Sequence, residues 1–122
     1  NGVKLDIVAD SNLKYIVGFD VIIMHNKNAI EVISAESLLP DFDAFFLEKS
    51  GHFIVTGAKK IESNRSLLFD NTAIIRLSII PKKTGEITLK IVEKLGKEKS
   101  QMIDIKSSVL IPKVGEITLK TK

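Results

Sequence analysis

Few side chains in this sequence have the chemistry of a catalytic or metal-binding site, and those few are widely spaced. His25 and His52 lie on separate predicted strands without an acidic neighbour at metal-ligand spacing, and we interpret both as strand-surface residues. The sequence has no cysteine, no glycine-rich phosphate loop and no Gly-x-Ser-x-Gly turn. Two carboxylates brought together by folding are the catalytic arrangement left open, and no pair is singled out. We predict that the protein is not an enzyme and has no cofactor or metal.

One acidic loop has the oxygen ligands that calcium prefers. Asp41, Asp43 and Glu48 cluster there, but their spacing does not match an EF-hand. We interpret these residues as the polar surface of a loop around buried Phe42 and Phe46. Whether a calcium ion binds at 41–43 is left open by the sequence.

Composition predicts one folded domain spanning residues 1–122. Hydrophobic residues make up 44% of the chain and charged residues 27%, as in ordinary soluble domains. The net charge is +3 and most lysines alternate with acidic residues, which indicates a mixed-sign surface rather than a nucleic-acid partner. No apolar run approaches the roughly 20 residues that span a bilayer, so we expect no membrane insertion. The first residues lack a leader pattern, so we expect a processed or internal start.

Apolar residues recur with a period of two in short runs, which is typical of strands with one buried face. Clusters of Asn, Asp, Gly, Pro and Lys separate the runs at nearly regular spacing. This pattern predicts an all-β fold of about eight or nine strands, an antiparallel sandwich. The best candidate for a helical turn is 35–38. The runs are 3–7, 15–24, 30–35, 42–47, 52–57, 73–80, 86–91, 103–105 and 117–119.

The run that contains Asp20 is apolar on both faces. Val21 and Ile23 point one way, whereas Ile22 and Met24 point the other. A strand that is packed on one side and wet on the other alternates with polar residues, so this one needs an explanation. Either a loop of the same chain covers Ile22 and Met24, or the second face is a docking surface for another protein.

One hexapeptide, Gly-Glu-Ile-Thr-Leu-Lys, occurs twice, at 85–90 and at 115–120. Ile-Pro precedes each copy by a few residues, so each copy follows a proline and begins with a glycine, and both residues favour a turn. Turn chemistry explains the glycine and the proline but not the identity of the whole hexapeptide. A local duplication accounts for the rest, and the sequence assigns it no function.

Several of these runs resemble the cohesin family in order and spacing over roughly residues 3–106. Cohesins have a Gly-Phe-Asp-apolar strand, a tight turn and a Leu-Glu-Val-Val-type strand, followed by a Gly-x-Ile-x-Val-x-Gly-Ala strand. The corresponding segments here are 17–26, 29–39, 51–58, 73–80 and 85–89.

The resemblance implies a jelly-roll β-sandwich of about nine strands on a secreted or cell-surface scaffolding protein. Cohesins capture dockerin modules through one sheet face. Asp20 matches the acidic position of the family's recognition strand, and Thr56 falls near a contact position on another strand of that face.

Two departures from the family pattern concern the edges of the sheets. Asn26-Lys27 replaces the usual Asp-Pro turn, and the usual first strand is missing because Val3–Val8 aligns with the second. The segment 114–120 can fold back to cover the vacant edge, or a strand of another chain can pair there.

These observations predict a non-catalytic module that binds a dockerin-like protein partner at the cell surface or outside the cell. A structural subunit or stalk domain of a surface assembly, joined by edge-strand pairing, is the alternative. A carbohydrate-binding module is less favoured, because tryptophan is absent and tyrosine occurs once. The predicted partner-binding residues share one sheet face: Asp20, Ile22, Met24, Ile54 and Thr56.

Overall fold

A computed structural model describes residues 2–63, 66–110 and, for the backbone, 116–121. These residues form antiparallel strands in two main sheets and contain no helix. The all-β antiparallel sandwich predicted from the alternation is therefore confirmed. The strands are β1 (Val3–Ala9), β2 (Tyr15–His25), β3 (Ile30–Ser37), β4 (Phe42–Lys49), β5 (His52–Lys59), β6 (Leu67–Leu68), β7 (Thr72–Pro81), β8 (Gly85–Val92), β9 (Lys94–Leu95), β10 (Glu98–Lys99), β11 (Gln101–Asp104), β12 (Val109–Leu110) and β13 (Glu116–Thr121).

The smaller sheet has the order β1-β7-β3. Along each strand of this sheet, successive side chains alternate between the core face and the outer face. Directly opposed positions in an antiparallel pair share a face, so they form rows across the sheet. Leu5 lies opposite Leu77, which in turn lies opposite Ala35, and this row faces the core. The window 35–38, expected to form a helical turn, instead continues β3 as far as Ser37. The ladder to β7 supplies the backbone hydrogen bonds there that a helical turn would have made locally.

The larger sheet begins with β4, β5 and β2, and β2 has two successive partners on its far side. Residues 16–20 of β2 pair with β11, and residues 22–25 pair with β8. β8 and β11 are thus two halves of one strand, interrupted by residues 93–100. We call this insertion, which includes β9 and β10, the covering hairpin. Beyond the interrupted strand lie β12, paired with β11, and β13, paired with β8.

The C-terminal copy of the repeated hexapeptide therefore extends the larger sheet. Glu116 lies opposite Lys90 and Thr118 lies opposite Thr88, so the two copies pair with each other. In the described residues β1 is hydrogen-bonded only to β7, and β13 does not pair with it. The vacant edge in the smaller sheet is accordingly not covered by β13.

The core lies between the two sheets and is built of aliphatic and phenylalanine side chains. Phe19 stacks against Phe42 and meets Phe69 edge-on. Gly57 lies directly under the Phe19 ring, and a Cβ at this position would clash with the Phe19 Cζ atom, so no side chain fits there. None of the described residues forms a helix long and apolar enough to cross a membrane.

Candidate functional site

The outer face of the larger sheet, which points away from the core, carries the residues predicted to bind a partner. Opposed positions on neighbouring strands form three rows across it, because their side chains share a face. The rows are Phe45, Thr56, Asp20 and Gln101; Leu47, Ile54, Ile22 and Val92; and Lys49, His52, Met24 and Lys90.

The covering hairpin folds over the middle of this face and buries Ile22, which is 1% exposed. Ile22 does not belong to the core cluster between the sheets, so its cover comes from the outer side. The Ile22 N–H donates to the buried Ser100 Oγ over 2.8 Å, and that hydroxyl donates to the Val92 carbonyl over 2.6 Å. The serine thus ties the end of the hairpin to both halves of the sheet beneath it.

Glu98 fastens the tip of the covering hairpin to the far strands. Its carboxylate accepts from Lys49 Nζ at 3.1 Å and lies 3.3 Å from His52 Nε2. The hydrogen bond from Lys49, followed by that from His52, holds the pKa of Glu98 below its ordinary value. Because these partners lie on β4 and β5, the hairpin must cross β2 to reach them.

Past the hairpin, part of the outer face is open and apolar. Phe45 and Leu47 on β4 are 60% and 58% exposed, and Ile54 beside them is half-buried. They border a shallow depression of about 570 Å³. We call this area the open patch, comprising Phe45, Leu47, Ile54, Thr56, Asp20 and Gln101.

A fixed carboxylate lies within the open patch. Asp20 accepts from Thr56 Oγ1 at 2.7 Å and from Gln101 Nε2 at 3.2 Å. Both donors are uncharged, so the carboxylate is oriented without being paired to a cation in these contacts. Lys97 and Lys99 of the covering hairpin also line the depression. The arrangement combines exposed apolar area with a fixed acid and nearby lysines, which suits contact with another polypeptide.

The structure brings four of the predicted contact residues to the depression and leaves three of them accessible. Asp20, Ile54 and Thr56 all line the depression. Ile22 also borders it but lies under the covering hairpin, as in the alternative that a loop of the same chain covers it. Met24 is 37% exposed, two positions along the strand and outside the depression.

Sequence reasoning missed Phe45 and Leu47, the largest exposed apolar side chains of the open patch. The signal was present, since Phe42 and Phe46 alternate with Asp43, Phe45 and Leu47 along β4. Phe42 is buried and Phe46 packs partly against the core, so the intervening positions must face outward.

The other candidate ligands have partners within the protein. Ser63 Oγ donates to Asp41 Oδ2 over 3.2 Å, and Lys60 Nζ lies 3.9 Å from Asp43 Oδ1. His25 Nδ1 lies 2.8 Å from the Asn26 carbonyl oxygen. In the part of the chain that the structure describes, no three His, Asp or Glu side chains are grouped to hold a metal.

Comparison with solved structures reveals what this sandwich is similar to. A cohesin module from a Clostridium perfringens family 33 glycoside hydrolase superposes with a TM-score of 0.74 at 10% identity, over 98% of this chain and 95% of that chain. The protein has the cohesin fold. The sixth cohesin of Acetivibrio cellulolyticus scaffoldin B, solved with a dockerin, superposes with a TM-score of 0.74 at 14% identity, over 100% of this chain and 89% of that chain. The Clostridium thermocellum OlpC cohesin, also solved with a dockerin, superposes with a TM-score of 0.66 at 15% identity, over 98% of this chain and 85% of that chain.

The resemblance to cohesins noted in the sequence is thereby confirmed at the level of the fold. No family model and no curated protein matches the sequence. At identities of 10–15% the shared cohesin fold does not carry residue roles across, so the contact roles of Asp20 and Thr56 stay predictions.

Proposed function

We propose that this chain is a non-catalytic module that binds another protein through the open patch, and that its partner is a dockerin-like domain. The observation that carries the proposal is the pair of exposed side chains, Phe45 and Leu47, on a sheet face whose middle is closed by the covering hairpin. Apolar side chains in the centre of a contact area supply most of the affinity in protein complexes. The cohesin fold supports the choice of partner, because solved structures with this fold include complexes with dockerins.

The surroundings of the open patch define what the partner should offer. Phe45 and Leu47 call for an apolar face of matching width, such as one side of a helix. Lys97 and Lys99 at the margin favour acidic residues at the partner's edge. Asp20 is already oriented by Thr56 and Gln101, so it can accept a hydrogen bond without reorganisation.

We further propose that the parent protein acts outside the cell or on its surface, since scaffolding there is the setting that the cohesin resemblance implies. Fractionation of cells that express the full-length protein, with detection by an antibody to this domain, tests the location. Retention in the cytoplasm would contradict it.

The binding proposal is tested with a panel of purified dockerin modules, including those solved in complex with cohesins, by calorimetric titration. We expect at least one to bind in a 1:1 complex. Phe45→Asp with Leu47→Asp should weaken that complex by more than about a hundredfold, as the loss of two central anchors does.

The matched control replaces exposed apolar residues on another surface. Val8 and Ile33 are 53% and 49% exposed on the strands of the smaller sheet. Val8→Asp with Ile33→Asp should leave dockerin binding unchanged. The proposal is wrong if no dockerin binds, or if the two double variants lose binding equally while circular dichroism shows both to be folded.

A further inference from the structure

The pairing of β8 with β13 has an unusual symmetry. Both strands contain Glu-Ile-Thr-Leu-Lys, and they run antiparallel in a register that is centred on the threonines. The opposed positions are Glu116 with Lys90, Ile117 with Leu89, Thr118 with Thr88, Leu119 with Ile87, and Lys120 with Glu86. Each glutamate therefore stands opposite a lysine, and each isoleucine opposite a leucine.

This symmetry follows from the pentapeptide itself. When Glu-Ile-Thr-Leu-Lys is laid antiparallel to a copy of itself, acid meets base at both ends and apolar meets apolar between them. Opposite charges and aliphatic residues at directly opposed positions stabilise an antiparallel ladder, whereas like charges destabilise it. Any strand with this sequence is therefore complementary to any other, including the same strand of a second molecule.

β13 lies at the edge of the larger sheet. Among the residues that the structure describes, β8 is the one strand hydrogen-bonded to it, so every second backbone N–H and C=O of β13 points away from the sheet. Edge strands commonly use lysine to discourage pairing with other strands. Here Lys120 has Glu116 four positions earlier, so a second copy in the centred register offers each charge its opposite.

We propose that two copies of this chain associate through β13, antiparallel and related by a two-fold axis at Thr118. Glu116 of each chain would stand opposite Lys120 of the partner subunit, and the two larger sheets would join into one. A two-fold contact uses the same strand on both chains, which is what a self-complementary sequence provides. The proposal rests on the register of β8 and β13 and does not depend on the proposed function of the open patch.

A pair of charge reversals separates this contact from the pairing inside the chain. Lys120→Glu with Glu86→Lys keeps opposite charges between β8 and β13, because both members of that internal pair are exchanged. Across the dimer, however, the double variant places Glu116 of each chain opposite an acidic residue at position 120 of the other chain. The contact then contains two pairs of like charges. We expect the dimer dissociation constant to rise about tenfold.

The matched control adds Glu116→Lys and Lys90→Glu to that double variant. The four changes restore opposite charges both within the chain and across the dimer, so we expect dimerisation to return to the wild-type level. Sedimentation velocity from about 10 µM to about 1 mM measures each constant, a range chosen because a contact between two short strands is weak.

Two results would overturn the proposal. A wild-type chain that is monomeric at the top of this range has no such contact. A dimer that persists unchanged in the double variant indicates exchange of β13 between two β8 strands, because the reversals leave that pairing complementary. Hydrogen exchange gives a second readout: addition at the edge protects outward amides of β13, whereas strand exchange protects only those already bonded.

Discussion

The outer faces of the two sheets differ sharply, although both sheets contribute to the same core. On the smaller sheet, one outward row runs Lys4, Ser78, Ser34 and the next runs Asp6, Arg76, Glu36. Arg76 donates to both carboxylate oxygens of Asp6 at 2.9 and 3.1 Å, and these hydrogen bonds hold the pKa of Asp6 below its ordinary value. The corresponding row of the larger sheet runs Leu47, Ile54, Ile22.

This difference shows how the chain handles apolar area that does not face the core. A sandwich needs one apolar face per sheet, and the regularly paired outward rows of the smaller sheet are polar, with Val8 and Ile33 exposed where the register shifts. The larger sheet has an excess of apolar residues outside, and the covering hairpin hides only the part around Ile22. The part around Phe45 and Leu47 is left open, which is why we place the binding site there.

The strongest test of this division compares a covered with an open position in the same row. Ile22→Ala should lower the free energy of unfolding by about 2–3 kcal/mol, because it leaves a cavity under the covering hairpin. The loss is in the lower part of the usual range, since the hairpin can move inward and fill part of that cavity. Leu47→Ala should change it by less than about 0.5 kcal/mol, since that side chain is mostly in water already. Urea unfolding at neutral pH measures both.

Equal losses for the two variants would contradict the division of the outer face. If both were large, Leu47 would be packed in solution. If both were negligible, the covering hairpin would not bury Ile22 in solution. Ile22 would then again be a candidate for partner contact, as predicted from the sequence.

A second, somewhat smaller effect is expected where the hairpin joins the sheet. Ser100→Ala removes the acceptor of the Ile22 N–H and the donor to the Val92 carbonyl, and both partners lie under the hairpin. Leaving such groups without a partner costs about 1–3 kcal/mol. Ser78→Ala, in the polar outer row of the smaller sheet, is the matched control and should be nearly neutral. A neutral Ser100→Ala would mean that water replaces the hydroxyl and that the hairpin is loosely held.

The sandwich was predictable because burial on one side of a strand imposes a period of two on the sequence. Along β7, Ile75, Leu77 and Ile79 are buried while Arg76 and Ser78 between them are not. The covering hairpin has no such alternation of buried and exposed residues by which the sequence could identify it. Its residues are mostly charged, and no local pattern states which sheet face a polar insertion will cross.

The site was therefore predicted only in part. Asp20 and Thr56 were placed on one face by alternation and by the cohesin resemblance, and the structure joins them by a hydrogen bond. The Ile22 N–H bonds to Ser100, which is 78 residues away in sequence. The apolar residues on both faces of β2 fitted a covering loop and a docking surface equally well, so the local pattern did not identify what covers Ile22. The repeat at 115–120 was visible, but its partner strand was decided by the tertiary fold.

The smallest effect concerns the charge that fastens the hairpin tip. Glu98 is a half-buried, solvent-accessible residue whose carboxylate pKa is lowered by hydrogen bonds from Lys49 and His52. Its contribution to stability is therefore present above the ordinary glutamate pKa of 4.5 and is lost as the pH falls through the lower pKa of the folded state. Glu98→Gln should reduce Tm by a few degrees at most at neutral pH, because exposed ion pairs contribute little.

The pH profile distinguishes this role from a general loss of charge. The difference in Tm between the wild type and Glu98→Gln should shrink below pH 4.5 and vanish once Glu98 is protonated in both states. Exchange of the Ile22 amide should become faster in Glu98→Gln at neutral pH, because the hairpin tip is released. Asp6→Asn removes a comparable ion pair from the polar face and should leave that amide unaffected. If both variants speed Ile22 exchange equally, Glu98 acts only through global stability and the hairpin is held by Ser100 alone.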